Sequence, residues 1–312
     1  MRIVFMGTPL FAVASLKALV ENSSCEVVGV VTQPDRPKGR GKKIMESPVK
    51  VFAQEHGLPV LQPEKVKNPD SIEALRKLNP ELIVVAAFGQ FLPESILTMP
   101  KYGCINVHAS LLPSYRGAAP IHYAILKGEK TAGVTIMEMA KGMDTGDMLK
   151  SVSVPIEPEM TQGELHDVLK EKGAQLLVDV IGDIAAGNIH PVKQNEADVT
   201  FASLITRDME KLQWEKSAQE LHDQIRAFNP WPGSYTNLPN GKILKIWLSK
   251  VVEGSWPEKT PGTVVEADKH NLVIATGNGF LQLVEVQPEG KNHMAANVFV
   301  NGKHVSAGDI LG

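Results

Sequence analysis

Cysteine is nearly absent from this 312-residue chain, which has only Cys25 and Cys104. The two match no C-x-x-C metal or redox spacing and give no disulfide framework, so both are expected as buried small apolar residues. Long apolar runs are lacking too. The longest, Leu82 to Phe88, falls far short of the ~20 residues a membrane span requires, and Arg2 to Met6 is too brief for a signal-peptide core. A cytoplasmic protein with no membrane partner is expected. Nor is there an excess of positive charge: the formal net charge is -3, opposite to the balance of a general nucleic-acid binder. The motifs G-x-x-x-x-G-K-S/T, G-x-S-x-G and H-E-x-x-H do not occur, which removes the common phosphoryl-transfer, serine-hydrolase and zinc-hydrolase readings. Strand one runs into Met6-Gly-Thr-Pro, a single glycine where a dinucleotide site needs G-x-G-x-x-G, and this argues against a nicotinamide cofactor.

What is present is an ordinary globular composition, 43% hydrophobic and 21% charged, over a length that suits two domains. Charge is unevenly placed. Arg36, Lys38, Arg40, Lys42 and Lys43 fall in one short run with no acid among them. A run of this kind reads by default as a solvated face.

The first half alternates β-branched runs with helical patterns, the signature of a parallel sheet of βαβ units. Arg2 to Met6 reads as a strand, and Pro9 begins a helix through Glu21 with an apolar stripe at Val13, Leu16 and Val20. Glu26 to Thr32 is the second strand and Gln33 to Met45 a Gly/Pro/Lys loop, after which Ser47 caps a helix with Pro48 at its first position. Pro59 to Leu61 is a short strand, Asp70 to Leu78 a helix, and Leu82 to Ala87 a strand buried on both faces. Gly103 to His108 is a strand that turns polar at its carboxyl end. Thr131 to Met139 and Met148 to Val154 follow as strands, with a helix from Thr161 to about Ala186.

The pattern changes near Gly187. A helix is expected from about Lys211 to Phe228, and strands alone after it, with turns at Asn240-Gly, Gly277-Asn-Gly and Asn301-Gly between runs such as Ile243 to Val252, Gly262 to Glu266 and Leu272 to Ala275. The fold class is therefore α/β: a Rossmann-like domain with a mostly parallel sheet, then a small C-terminal β-barrel of the oligonucleotide-binding type.

In open α/β sheets ligands bind beyond the carboxyl ends of the strands, so the polar end at Asn106-Val-His is where a site belongs. Asn106 and His108 are two apart on a strand and leave the same face. The turn Gly142-Met-Asp-Thr-Gly-Asp can bring Asp144 across to the imidazole; Asp147 is the competing acid and is expected to hold the turn. On these residues alone, a strand cap bonded to a loop is the more ordinary reading than a catalytic pair.

The combination of an Asn-x-His strand end, a Ser-Leu-Leu-Pro loop at Ser110 to Pro113 and an Asp-Thr-Gly-Asp turn resembles the folate-dependent formyltransferase family. The resemblance runs through the whole chain, from Phe5-Met-Gly-Thr-Pro through Pro34-Asp-Arg-Pro-Lys-Gly-Arg-Gly and His108-Ala-Ser-Leu-Leu-Pro to Phe228-Asn-Pro-Trp-Pro-Gly. It departs at Ser114-Tyr115, where the family more often has a basic residue and Trp.

The resemblance implies transfer of a formyl group from N10 of 10-formyltetrahydrofolate to the α-amino group of methionine esterified to initiator tRNA, without a metal. A free α-amino group titrates near pH ~8 and the neighbouring ester lowers that, so no powerful base is required. Asn106 and His108 are then the oxyanion donors, and Asp144 favours the imidazolium and relays a proton. Ser110, Leu111, Leu112 and Pro113 are implied for the folate pocket, and Phe88, Gln90 and Leu92 for the pterin through backbone groups and apolar side chains. Arg36, Lys38, Arg40, Lys42 and Lys43 are implied for tRNA, with Arg40 foremost and phosphate or groove contacts in the absence of aromatics. Met137, Met139 and Met143 read as packing.

The implied domains are a catalytic domain at 1–189, a linker at 190–206 and a tRNA-binding domain at 207–312, acting as a monomer. That last domain is slightly acidic by count, and Lys242, Lys245 and Lys250 are its basic candidates or, equally, a solubilising strand face. Two other functions stay open: an N-formyltransferase acting on a sugar nucleotide or another small amine such as glycinamide ribonucleotide, and a noncatalytic RNA-binding protein. The length and basic run speak against the first; the intact Asn106, His108 and Asp144 speak against the second.

Overall fold

A computed structural model of the chain describes residues 1–38, 43–256 and 259–312. It divides into two compact units, one made of Met1–Pro120, Ala132–Val154 and His166–Ala202, the other of Ile121–Thr131, Pro155–Leu165 and Ser203–Gly312.

The chain begins with β1 (Arg2–Gly7), α1 (Leu10–Glu21), β2 (Glu26–Val31), β3 (Arg36–Lys38), β4 (Lys43–Met45), α2 (Pro48–Glu55), β5 (Val60–Leu61) and α3 (Pro69–Lys77). It continues through β6 (Leu82–Ala86), α4 (Glu94–Leu97), β7 (Cys104–His108), β8 (Arg116–Gly117), α5 (Pro120–Leu126), β9 (Thr131–Glu138), β10 (Met148–Pro155) and α6 (Gln162–Ala186). After β11 (Phe201–Ala202) come α7 (Ala218–Ala227), β12 (Ser234–Asn237), β13 (Ile243–Val252), β14 (Val264–Ala267), β15 (Leu272–Ala275), β16 (Phe280–Pro288), β17 (Met294–Ala295) and α8 (Ala296–Asn301).

Seven strands of the first unit form one sheet in the order β10-β9-β7-β6-β1-β2-β5. The pairs β1/β2, β1/β6, β2/β5 and β6/β7 are parallel, while β9 runs antiparallel to β7. Every residue of β6 is buried, as its unbroken apolar sequence requires. Burying side chains such as Leu82 and Ile83 contributes roughly 1.5–3 kcal/mol each. The chain leaves β1 toward β2 and β5, then returns to β6 on the other side of β1, and a crevice opens at such a reversal beyond the strands' carboxyl ends. A Cβ at Gly7 would lie 2.7 Å from the Ala12 Cβ and 3.0 Å from the Ala86 carbonyl oxygen, so only glycine lets α1 sit this close to the strand ends.

Local signals explain some ends. Ser47 Oγ accepts from the Lys50 N–H at 3.0 Å and caps α2, with Pro48 at the first position. Other expectations need correction. In α1 the buried residues are Phe11, Ala12, Ser15, Leu16 and Leu19, not the Val13 and Val20 stripe, because the helix is apolar nearly all round and packing sets its phase. The segment read as a loop to Met45 carries a short antiparallel hairpin, β3 against β4.

In the second unit β12, β13, β16, β15 and β14 are neighbours in that order, with β17 on β16, and all the pairs are antiparallel, as suits a small barrel-like domain. Leu221 and Ile225 of α7 join Leu244, Ile246, Leu281 and Phe299 in its core. The helix is shorter than expected. Ser217 and Glu220 form a reciprocal capping box at its start, while upstream Leu212 and Trp214 are buried two residues apart, the alternation of extended chain. The chain after it is not all strand: α8 intervenes, and Asn301-Gly302 ends that helix instead of turning a hairpin.

Cys104 is buried, its Sγ donating to the Ile96 carbonyl at 3.5 Å, and burial pushes the thiol up to about 12. Cys25 is only half-buried, which corrects the expectation for it. A disulfide-exchange reagent at pH ~8 is therefore expected to titrate Cys25 alone in the folded protein and Cys104 only after denaturation. Rapid native labelling of both thiols would contradict this packing.

Candidate active site

The ends of β1, β6 and β7 meet at the crevice. Thr8 Oγ1 and Gln33 Nε2 both donate to the Phe88 carbonyl, at 3.2 and 3.1 Å, tying the segments after β1 and β2 to the segment after β6. On β7, Asn106 is registered with Val85 of β6 and with Met137 of β9. Ile105 and Val107 are buried in the sheet. The Asn106 amide has no hydrogen-bond partner among the described residues, so its donors and acceptor are free for a ligand.

His108 is buried and held at one nitrogen. Its Nε2 lies 3.0 Å from the Tyr115 carbonyl oxygen, which can only accept, so Nε2 carries the hydrogen. That leaves Nδ1 facing Asp144, 3.7 Å from Oδ2, which is close enough for charge attraction and longer than a hydrogen bond. The same Oδ2 accepts from the Gly117 N–H at 2.8 Å. Asp144 sits at φ 53, the left-handed region that costs a non-glycine residue roughly 1–2 kcal/mol. The sequence-predicted Asn106, His108 and Asp144 thus lie at one rim, the last two in direct electrostatic contact. Asp147 contributes its main-chain carbonyl to the turn, accepting from the Glu138 N–H at 2.8 Å.

Residues that sequence reading passed over hold this rim in place. The segment 115–117 pairs with 200–202: β8 runs parallel to β11, the Tyr115 N–H donates to Thr200 Oγ1 at 2.8 Å, and the Arg116 N–H donates to the Thr200 carbonyl at 2.9 Å. At Gly117, φ 122, a Cβ would fall 2.6 Å from the Ala202 carbonyl oxygen. The Gln194 amide donates to both the Asp144 and Gly146 carbonyls, each at 2.8 Å, and its Oε1 accepts from Arg116 Nε at 2.9 Å. Arg116 is buried and also pairs with Glu196 at 2.8 Å, which holds the Glu196 carboxyl below the usual carboxylate range. No short motif announces these partners; only the polar cluster Lys193-Gln-Asn-Glu196, set in an otherwise plain connecting segment, was available as a signal.

The loop residues divide in role. Ser110 is buried, its Oγ donating to the Ser114 carbonyl at 2.6 Å, and Leu112 is buried as well, whereas Leu111 and Pro113 are half-buried. Phe88 and Leu92 pack in the core beneath the crevice. Gln90 ties down the neighbouring segment, its Oε1 accepting from the Val66 N–H at 2.8 Å. The main-chain N–H groups of Gln90 and Leu92 have no acceptor among the described residues, so backbone donors there are open to a ring with polar edges. Of the methionines, Met137 is buried, Met139 half-buried and Met143 exposed.

Of the basic run, Arg36 is exposed and ion-paired with Glu64 at 3.0 Å. Lys38 and Lys43 are paired in the backbone of the β3–β4 hairpin, and Arg40 and Lys42 lie outside the described residues. In the second unit Lys245 donates to the Pro232 carbonyl at 3.0 Å and lies over the Trp247 ring, whereas Lys242 and Lys250 are exposed. Among the described residues no helix is long and apolar enough to cross a membrane, and no cluster of three His, Cys, Asp or Glu could hold a metal ion.

Residues 1–181 match the family described as formyl transferase, and residues 204–304 match the formyl transferase C-terminal domain. Over 312 residues the chain is 54% identical to the methionyl-tRNA formyltransferase of Bacillus subtilis (strain 168), an alignment covering 100% of this chain and 98% of that protein. It is 47% identical to the methionyl-tRNA formyltransferase of Clostridium novyi (strain NT), with 100% of both covered. In fold it is similar to an N-formyltransferase from Helicobacter canadensis solved with folinic acid and dTDP-3-aminofucose: the TM-score is 0.63 at 21% identity, covering 92% of this chain and 98% of that one.

Thr135 Oγ1, fully buried, donates to the Ser110 carbonyl at 2.7 Å and accepts from the Leu112 N–H at 3.1 Å. Thr135→Val keeps the shape and strands both main-chain groups, so urea denaturation is expected to show a loss of about 1–3 kcal/mol. An unchanged midpoint would mean that the loop is held by other contacts.

Proposed function

The chain belongs to the methionyl-tRNA formyltransferase family of formyl transferases, and from that membership we propose how its residues transfer the formyl group of 10-formyltetrahydrofolate to the α-amino group of methionine on initiator tRNA, for translation initiation. What supports the residue assignment is one cluster at one rim. An unpartnered Asn106 amide, His108 Nδ1 and the Asp144 carboxylate lie where β7 ends, with 3.7 Å between imidazole and carboxylate.

Folate supplies the formyl group as co-substrate. The open N–H groups of Gln90 and Leu92, with Ser110, Leu111, Leu112 and Pro113 across the crevice, form the pocket for its flat ring, and Phe88 gives that pocket its floor. The attacking amine forms the new N–C bond as the bond from the formyl carbon to N10 breaks. Asn106 and His108 donate to the formyl oxygen while that carbon is tetrahedral, each positioned donor being worth about 3 kcal/mol. With Nε2–H committed to the Tyr115 carbonyl, a proton on Nδ1 lies on the side of the reacting oxygen and of Asp144. Asp144 accepts the proton that the amine loses and returns it to the departing nitrogen, so no proton is gained or lost overall.

The basic run Arg36, Lys38, Arg40, Lys42 and Lys43 serves the acceptor arm of the tRNA through phosphate contacts, with Glu64 exchanged for phosphate at Arg36. In this reading residues 1–189 are the catalytic domain, 190–206 the linker and 207–312 the oligonucleotide-binding domain. The protein works as a monomer in the cytoplasm.

His108→Ala and Asp144→Ala are expected to abolish formyl-methionine formation from 10-formyltetrahydrofolate and charged initiator tRNA, and Asn106→Ala to slow it ~100- to 1000-fold. Binding of tRNA should stay within a few-fold in all three; wild-type turnover in the His108 or Asp144 variant refutes the assignment. Arg40→Ala with Lys42→Ala should weaken use of tRNA and flatten its salt dependence, by up to ~1 unit of log–log slope for each phosphate no longer neutralised. An unaltered slope removes the run from the tRNA site.

A further inference from the structure

Proton transfer at Asp144 requires its carboxylate to stay in register with His108. Asp144 occupies a left-handed backbone conformation at a half-buried position, and its carboxylate makes one hydrogen bond among the described residues, to the Gly117 N–H. A strained turn of this kind persists only where its surroundings over-determine it. The determinant is Gln194. Both hydrogens of its amide are used on the turn itself, one on the Asp144 carbonyl and one on the Gly146 carbonyl. Its oxygen is used on buried Arg116, the residue between the Tyr115 carbonyl that holds His108 and the Gly117 N–H that holds Asp144. One side-chain amide thereby bridges the carboxylate's turn to the segment that orients the imidazole, and it comes from the stretch between α6 and β11, about 50 residues downstream of the turn in sequence.

We propose that Gln194 is a positioning residue for formyl transfer, fixing the distance between Asp144 and His108 by spanning the 144–146 turn and Arg116. The inference rests on the assignment of Asp144 to proton transfer. No other standard side chain repeats the pattern. Glutamate keeps the acceptor for Arg116 and loses both donors, while methionine keeps the length and volume and loses all three bonds. All three hydrogen bonds of the Gln194 amide go to groups of the protein itself, so its loss is expected to act on the chemical step and not on binding.

The test is steady-state kinetics on full-length Gln194→Met and Gln194→Glu with 10-formyltetrahydrofolate and methionyl initiator tRNA, alongside Asp144→Ala. A misplacement on the order of 1 Å costs about 100-fold in rate, so kcat is expected to fall about 10- to 100-fold in both Gln194 variants. KM for each substrate is expected to stay within about threefold and circular dichroism to be unchanged. Wild-type kcat in both Gln194 variants, a rise in KM at constant kcat, or failure of both variants to fold overturns the positioning role. If Asp144→Ala itself retains wild-type turnover, the catalytic assignment fails instead, whatever Gln194 does.

Discussion

The parallel pairing of Arg116–Gly117 with Phe201–Ala202 is two residues long, yet the placement of both His108 and Asp144 hangs from it. The Tyr115 carbonyl takes the His108 Nε2 hydrogen, and the Gly117 N–H holds the Asp144 carboxylate. An imidazole and a carboxylate 3.7 Å apart on separate elements have no intrinsic reason to stay there, since a charge attraction at this range is non-directional. Direction comes from the backbone groups behind them. Those groups lie in loops that link strands, which is where a rigid sheet offers functional residues freedom of placement and where something else must then restrict it. Here the restriction is supplied by a connecting segment late in the first unit.

This division explains what could be read from the amino-acid sequence. The central strand Leu82–Ala86 was legible because its apolar run admits few structures, and the α2 start was legible because Ser47 followed by Pro48 has a local physical meaning. Asn106 and His108 were legible because a polar pair interrupts an apolar strand at its carboxyl end. Gln194, Arg116 and Thr200 were not. Their partners lie roughly 50 to 85 residues away, and two-residue strands such as β8 and β11 carry no periodicity. The overlong reading of α7 failed differently. Leu212 and Trp214 carried a period-two signal that a helical pattern starting at Lys211 absorbed, although the Ser217 to Glu220 capping box marks the true start.

Charge is likewise a matter of local placement. With a formal net charge of -3 the chain has no overall field that draws a polyanion, and its excess positive charge is confined to short segments. The Arg36–Glu64 pair is exposed on both sides, and a pair of that kind is worth no more than about 1 kcal/mol. It orients the guanidinium weakly and yields it readily. Lys245, by contrast, is committed to the Pro232 carbonyl and the Trp247 ring, and so belongs to the architecture of its strand more than to any approaching ligand.

The crowding at the end of β1 has a bearing on which molecules can enter at all. Gly7, Pro9 and Ala12 stand at the spacing of the three glycines in a dinucleotide fingerprint. The outer two remain small, as the close seating of α1 demands, but the middle position is a proline, which has no amide N–H to donate. The entrance keeps the tight packing of such a turn without its full set of main-chain donors. A dinucleotide pyrophosphate would find one main-chain donor fewer at this turn than at the glycine-rich one.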